Sequence, residues 1–266
     1  AAVVVFGAPV PAAELEPALE QGLAQVDAFL DRYRTFVVFD DVTLADLRPT
    51  LRLWSVQGPN AADALRAAGW VPPPAGRFAT GPHPAPGGAD PGGSGMVFGR
   101  VRTPAGGFDV VAPIDRPAPI AGTPIGAEAI EALRVLAGRP RFPDDTGDKR
   151  LPHELGLRDE LLSFDKGCYL GQETINRVDV MGQVKRALCG IRFPGAAADG
   201  PAAGSELRVG GEVVGTLTSP VALWSGDLVG LAVVKRPAEA PGTEVVVERD
   251  GSHWRGRVEP LPFDVG

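Results

Sequence analysis

The sequence predicts an α+β region over residues 1–184 and a separate small β-barrel over residues 185–266, on three observations. Apolar residues in the first part alternate between strand-like runs and the three-to-four spacing of amphipathic helices. After about Lys185 they fall into short strands divided by Gly, Pro and Asp turns, with no long helical period. Two modest domains also suit a chain of 266 residues, since single domains average roughly 100–200.

Residues 1–6 (AAVVVF) read as a strand, and the chain reads as beginning in mid-domain. From Ala13 to Arg34, Leu15, Leu19, Leu23, Val26, Leu30 and Tyr33 recur on one helical face. Thr35–Asp40 and Leu51–Val56 are rich in β-branched and aromatic residues and are strand candidates. Gly58-Pro59-Asn60 marks a turn, with Asn60 the N-cap of a short helix through Ala68. Residues 72–95 hold seven prolines and seven glycines and are expected to form a flexible surface loop. Met96–Val101 and Phe108–Pro113 resume the strands. Thr123-Pro124 is expected to open a helix through Ala137, with Ile130, Leu133 and Leu136 as its buried stripe and Gly138 as its stop. Barrel strands are expected at Leu188–Phe193, Glu206–Val209, Glu212–Thr218, Leu228–Val234, Thr243–Glu248 and Ser252–Val258. Trp54 and Trp224 fall in strand-like runs and are expected in the core.

Lys and Arg number 26 against 33 Asp and Glu, for a net charge of −7. Phosphate neutralisation supplies most nucleic-acid affinity, so wholesale capture of RNA or DNA is disfavoured. No apolar run approaches the ~20 residues of a membrane span. Two cysteines, Cys168 and Cys189, are too few for a disulfide framework or a four-thiolate metal site, and a reducing cytoplasm is the simpler setting.

The chemistry concentrates in Asp165-Lys166-Gly167-Cys168-Tyr169-Leu170-Gly171-Gln172-Glu173. Gly167 and Gly171 permit positive φ or a close backbone approach, so the thiol is expected on a sharp turn. The residues after them can continue as a helix, with Glu173 and Arg177 spaced for an i,i+4 pair. A cysteine ahead of a helix N-terminus and two residues after a lysine lies in positive potential that favours its thiolate, the nucleophilic and metal-binding form. For an arbitrary intracellular cysteine a buried, inert role is the better expectation. Cys189, between apolar neighbours in RALCGIRF, fits that expectation, whereas Cys168 lies among polar residues and glycines. His83, His153 and His253 read as loop or turn residues without metal-ligand spacing. Arg177, Lys185 and Arg186 make a small basic patch near the motif, for which a solvated face is the plainer account.

Lys166–Glu173 resembles the K-G-C-[YF]-x-G-Q-E signature of the YgfZ-type folate-binding proteins, relatives of the aminomethyltransferase (T-protein) of the glycine cleavage system. LRVLAGRPRF (133–142) resembles the helix and turn that precede the family's signature. Arg177, Gly182 and Lys185-Arg186 are similar to the family's residues on the C-terminal side of that signature. Gly211, Val213, Gly215, Ser219 and the late Leu261–Phe263 resemble the terminal barrel. The resemblance implies ferredoxin-like sheet-and-helix lobes arranged as a ring around a tetrahydrofolate pocket, then the barrel. It further implies a role in assembling or maintaining iron–sulfur enzymes, including ones that modify tRNA, with an essential signature cysteine. On that basis Cys168 and Lys166 are the reacting residues. Gly167, Tyr169, Gly171, Gln172 and Glu173 form the motif, and Arg177 supports it.

Two departures from the family matter. The resemblance implies an opening segment of roughly 60 or more residues ahead of the part matched here, so that either the start is missing from this sequence or the family's pocket is incomplete. The T-protein glutamate that contacts folate matches Leu136, so that Glu154 or another acid would have to take its place.

Three functions are in view. The first is a folate-binding factor that assembles or repairs iron–sulfur clusters in client proteins, with no stably bound metal of its own and Cys168 as a transient cluster ligand. The second is a tetrahydrofolate-dependent aminomethyl or methyl transferase, against which Leu136 counts. The third is a non-catalytic scaffold that docks clients. The first is favoured, in the cytoplasm, with a folate derivative and iron–sulfur clients as partners and neither direct nucleic-acid nor membrane binding.

Overall fold

Strand and helix propensities resolve into two units, Ala1–Arg100 with Gly106–Gly126, and Val101–Ala105 with Ala127–Gly266. The computed structural model describes residues 4–6, 26–35, 43–47, 49–82, 94–115, 120–147, 150–169, 171–182 and 184–264. The fold is α+β with a closed barrel, as the sequence predicts.

The first unit is a six-stranded sheet ordered β3-β4-β5-β2-β1-β6. Its strands are β1 (Val4–Phe6), β2 (Leu51–Gln57), β3 (Phe78–Pro82), β4 (Ser94–Gly99), β5 (Gly107–Pro113) and β6 (Thr123–Pro124). All neighbours pair antiparallel except β1 and β6, which are parallel. The predicted amphipathic helix is seen over residues 26–34 (α1), with the Phe29 and Tyr33 rings 4.4 Å apart. The remainder of that helix and the strand expected over residues 35–40 lie largely outside the described residues. Helix α2 (Ala61–Ala67) follows Asn60, which occupies the cap position without a side-chain capping bond. Ala61 and Leu65 on α2 join Trp54, Val56, Trp70, Val97, Val110 and Ile120 in one core. The second half of β2 is buried on both faces, and its polar residues are satisfied there. Ser55 Oγ donates to Asp109 Oδ1 (2.9 Å), and Gln57 Nε2 donates to Ser55 Oγ (2.9 Å).

Two expectations for this region are corrected. Phe78–Pro82, inside the stretch expected to be loop, pairs with β4 because Phe78, Ala79 and Thr80 suit a strand despite the flanking prolines. Residues 83–93 of that stretch lie outside the described residues. Thr123 and Pro124 do not open a helix. They form the edge strand β6, where a proline without an N–H is tolerated, and the helix starts after Gly126.

The barrel closes in the order β10-β7-β12-β11-β8-β9. Its strands are β7 (Arg186–Phe193), β8 (Glu206–Val209), β9 (Glu212–Ala222), β10 (Leu228–Lys235), β11 (Glu244–Arg249) and β12 (Ser252–Glu259). All six predicted strands are present. Ile191, Phe193, Leu207, Leu217, Ala232, Val234, Val245, Val247 and Val258 fill the barrel core. A Cβ on Gly256 would stand 2.7 Å from the Phe193 ring, so the missing side chain is what admits that ring.

Trp224 is not in the core. It is 88% exposed at the tip of the β9–β10 hairpin, because β9 ends at Ala222 and the chain turns through residues 223–227.

Strand β10 reads as unbroken apolar sequence because it is covered on both faces. Ala232 and Val234 face the barrel core, whereas Val229 and Leu231 pack with Val135 and Leu136 of α3 (Ala127–Leu136) and with Phe263. Helix α3 ends as predicted at Gly138 (φ 67°), where Gly138 N and Arg139 N donate to the carbonyls of Val135 and Arg134.

A buried ion pair fastens α3 to β9. Arg134 donates to Asp145 Oδ2 (2.9 Å), Glu131 Oε1 (2.5 Å), Ser219 Oγ (2.8 Å) and the Arg139 carbonyl. The Asp145 side chain is fully buried and also accepts from Arg141 N (2.8 Å), Ser219 Oγ (2.7 Å) and Thr218 Oγ1. Burial pulls the Arg134 guanidinium down, but Glu131 and Asp145 outweigh it and hold the group above its ordinary value. Removing one partner of such a pair strands the other charge, at a cost of about 3–5 kcal/mol. Asp145→Ala is therefore expected to lower unfolding free energy by that amount in urea titration. A loss below ~1 kcal/mol would show that the pair is not structural.

Candidate functional site

Residues 166–169 of the octapeptide lie in irregular chain between two helices of the second unit, α4 (Arg158–Leu161) and α5 (Gln172–Met181), and its Gln172 and Glu173 open α5. Gly171 is the N-cap of α5 in the left-handed conformation (φ 87°, ψ 2°), which only glycine adopts without strain. No side chain caps this end. Instead the turn before it is closed by a reciprocal pair: Tyr169 N donates to Gln172 Oε1 (3.1 Å), and Gln172 N donates to the Tyr169 carbonyl (3.3 Å). Cys168 lies immediately before this tied turn and is exposed. The sharp bend expected near the thiol is thus real, and it is made at Gly171. Gly167 takes no positive φ and has open space around its Cα.

Lys166 reaches forward over the Tyr169 ring, its Nζ 4.8 Å from the centroid, a cation–π contact that fixes both side chains on one side of the segment. The Tyr169 hydroxyl is buried without a hydrogen-bond partner. The predicted helix after the motif is α5, but Glu173 and Arg177 are both exposed and form no ion pair among the described residues. Lys185 and Arg186 are exposed as well.

Glu154 sits in the turn before α4, half-buried. Its Oε2 accepts from Leu151 N (3.2 Å), and its carbonyl accepts from Leu188 N of β7 (2.7 Å). Leu136 is 2% exposed among Leu223, Val229, Leu231 and Phe263. No group of three or more His, Cys, Asp or Glu able to hold a metal ion occurs among the described residues.

Sequence reasoning missed the contacts that hold the flanking helices. Arg158 of α4 grips Asp179 of α5 through both carboxylate oxygens, and His153 places Nε2 3.4 Å from Asp179 Oδ1. The hydrogen bonds from Arg158 hold the Asp179 carboxyl below its ordinary value. The signal available was a lone acid on an otherwise neutral helix end, which does not reveal its partner. His153 is a turn residue, as predicted, with its side chain nearly enclosed. His253 is exposed on β12, and His83 lies outside the described residues.

The two thiols differ in kind. Cys189 is 5% exposed on β7, and burial, with a smaller contribution from Glu239, pushes its thiol up to about 12. It is an inert core residue, and Cys168 is the thiol open to chemistry.

No protein-family profile matches the chain. It is 32% identical over 151 residues to an aminomethyltransferase of Streptomyces avermitilis, a match covering 55% of this chain and 40% of that one. It is 32% identical over 140 residues to the tRNA-modifying protein YgfZ of Sodalis glossinidius, covering 51% and 42% respectively. The matched stretch is therefore less than half the length of these curated relatives. The solved structure of glycine cleavage system aminomethyltransferase T from Bartonella henselae shares the fold, with a TM-score of 0.60 at 22% identity over 80% of this chain and 60% of that one.

Native protein should react with one equivalent of a thiol reagent, at Cys168, and with a second only after unfolding. Because the folded Cys189 thiol is raised from 9.0 to about 12, its contribution to stability is complete below pH 9 and is lost as pH rises toward 12. The urea midpoint of wild type should fall more steeply across that window than that of Cys189→Ala. Parallel curves would refute the assignment.

Proposed function

We propose that this homologue of YgfZ-named proteins and of aminomethyltransferases is a folate-binding factor that assists assembly or repair of iron–sulfur clusters in client proteins through Cys168. One observation carries this reading: of the two cysteines, the signature one alone is exposed, on a segment tied at its turn. A single thiolate cannot hold a cluster, which usually takes four ligands, so Cys168 contributes one ligand to a cluster in transit while the client supplies others. The role is that of an assembly factor in the cytoplasm rather than of an enzyme with its own turnover. Among the described residues no helix is long and apolar enough to cross a membrane.

The folate of this reading is supported by the chemistry of three side chains. The Tyr169 ring offers a face with an unsatisfied buried hydroxyl, the Lys166 ammonium suits an anionic tail, and Glu154 keeps a carboxylate oxygen beyond the one that accepts from Leu151 N. These three residues would hold it, with Gly167 and Gly171 leaving room along the backbone and Gln172, Glu173 and Arg177 completing the motif. Tetrahydrofolate, when bound, supplies a one-carbon acceptor at its ring nitrogens. The ferredoxin-like character of the sheet lobe, and the division into a folate-binding region over 1–184 and a barrel over 185–266, belong to this same reading.

A second reading, tetrahydrofolate-dependent aminomethyl transfer, draws on the aminomethyltransferase-named relative. It needs an acid or base near the folate nitrogen, and the position matched to the family's glutamate is filled by buried Leu136.

Cys168→Ala is expected to abolish rescue of iron–sulfur enzyme activity in a deficient host, while leaving the urea midpoint and tetrahydrofolate binding unchanged. Full rescue by the alanine variant would end the proposal. Tetrahydrofolate-dependent ammonia release from an aminomethylated carrier would instead establish the transferase.

A further inference from the structure

Both helices that flank the cysteine segment converge on one carboxylate. Arg158, the first residue of α4, donates through Nε to Asp179 Oδ1 and through Nη2 to Asp179 Oδ2 (2.9 Å), a two-point grip on the last turn of α5. The same guanidinium lies 5.0 Å from the Phe164 ring centroid, inside the segment itself, and also pairs with Asp159 (2.6 Å). From the turn before α4, His153 adds its Nε2 to Asp179 Oδ1 at 3.4 Å, with a side chain only 5% exposed. Asp179 is 21% exposed and Arg158 44% exposed, so the grip lies at the surface and is open to screening by water and salt. The chain thus leaves α4, passes through Phe164, Lys166 and Cys168, and returns in α5 to the residue that holds its own starting point.

From this geometry we infer that Asp179, held by Arg158 and His153, is the positioning residue of the Cys168 segment. It touches no reacting group. It acts by fixing the span between the two ends of the loop, which reduces the conformations open to the segment, and by keeping the tied turn at Tyr169 and Gln172 in register with α5. Phe164, stacked on the same guanidinium, carries the constraint into the loop. The inference deepens the proposed function, since a fixed thiol is what handing a ligand to a partner requires, but the geometric claim is testable without it.

The test is amide hydrogen exchange by mass spectrometry on the full chain, with Cys168 alkylation by iodoacetamide as a second reading. Asp179→Asn keeps the side-chain shape and removes the charge that the fork grips. Exchange in the peptide over 162–172 and alkylation of Cys168 should each become faster by about threefold or more, the scale of a lost ion pair. A peptide over barrel strand 228–235 should exchange as in wild type, which a general loss of stability would not allow. Asp179→Glu should restore both rates to within about twofold. Glu259→Gln, which breaks the Arg192–Glu259 pair of the barrel, should leave both unchanged. Should Asp179→Asn fail to fold, Arg158→Lys removes the fork while keeping a charge and answers the same question.

Wild-type rates in a folded Asp179→Asn or Arg158→Lys protein would overturn the inference, as would equal acceleration in the barrel peptide. If exchange and alkylation accelerate but rescue of iron–sulfur enzymes by Asp179→Asn equals wild type, the positioning role stands and the functional reading of Cys168 is what fails.

Discussion

The Arg134–Asp145 pair is the constraint from which the second unit takes its shape. Neither charge could remain so buried without compensation, and each is saturated: the carboxylate accepts from a guanidinium, a backbone N–H and two hydroxyls, and the guanidinium donates to two carboxylates, a hydroxyl and a carbonyl. Because Ser219 and Thr218 lie on β9 while Arg134 lies on α3, satisfying the charges requires the helix to lie along the outside of the barrel. Once it lies there, Val135 and Leu136 must cover β10, and the turn through Asp145 is pinned beside them. The polar network fixes orientation and the apolar contacts beneath it supply most of the stabilisation.

The cysteine segment is built on the opposite principle. It buries little, and its order comes from point contacts: the reciprocal bonds between Tyr169 and Gln172, the Lys166–Tyr169 stack, and a left-handed glycine that lets α5 begin without a side-chain cap. Such contacts are individually weak, so a loop of this kind is rigid only where several act together. An exposed thiol on a restrained loop differs in kind from Cys189, which the barrel core keeps protonated and out of reach. Access without order would add a conformational cost to any encounter of such a thiol with a partner.

Local signals in the sequence explain what was legible in it. The barrel strands can be read because each is a short apolar run closed by a turn. A bend near the thiol is legible from Gly167 and Gly171 together, but only folding shows that Gly171 makes it. Misreadings arose where local pattern and tertiary setting diverge. Trp224 looks like core from its apolar neighbours, yet the hairpin turn places it in solvent. Thr123-Pro124 has the chemistry of a helix start, but pairing with β1 claims it for the sheet. Arg134, Asp145 and Ser219 are too far apart in sequence for any pattern to join them, although Ser219 was marked by its resemblance to the family barrel. Asp179 and Arg158 were likewise separate charges until folding brought them together.

The same core packing bears on which chemistry the chain can support. Leu136 contacts β10 and Phe263 as part of the surface by which α3 is seated. A carboxylate at that position would be buried among aliphatic and aromatic side chains, with the nearby guanidinium of Arg134 already committed to two acids. Such a group would be driven neutral or would push the helix off the barrel. The leucine is therefore integrated into the packing rather than a substitution that one mutation could reverse. Leu136 thereby anchors the helix that precedes the segment presenting Cys168.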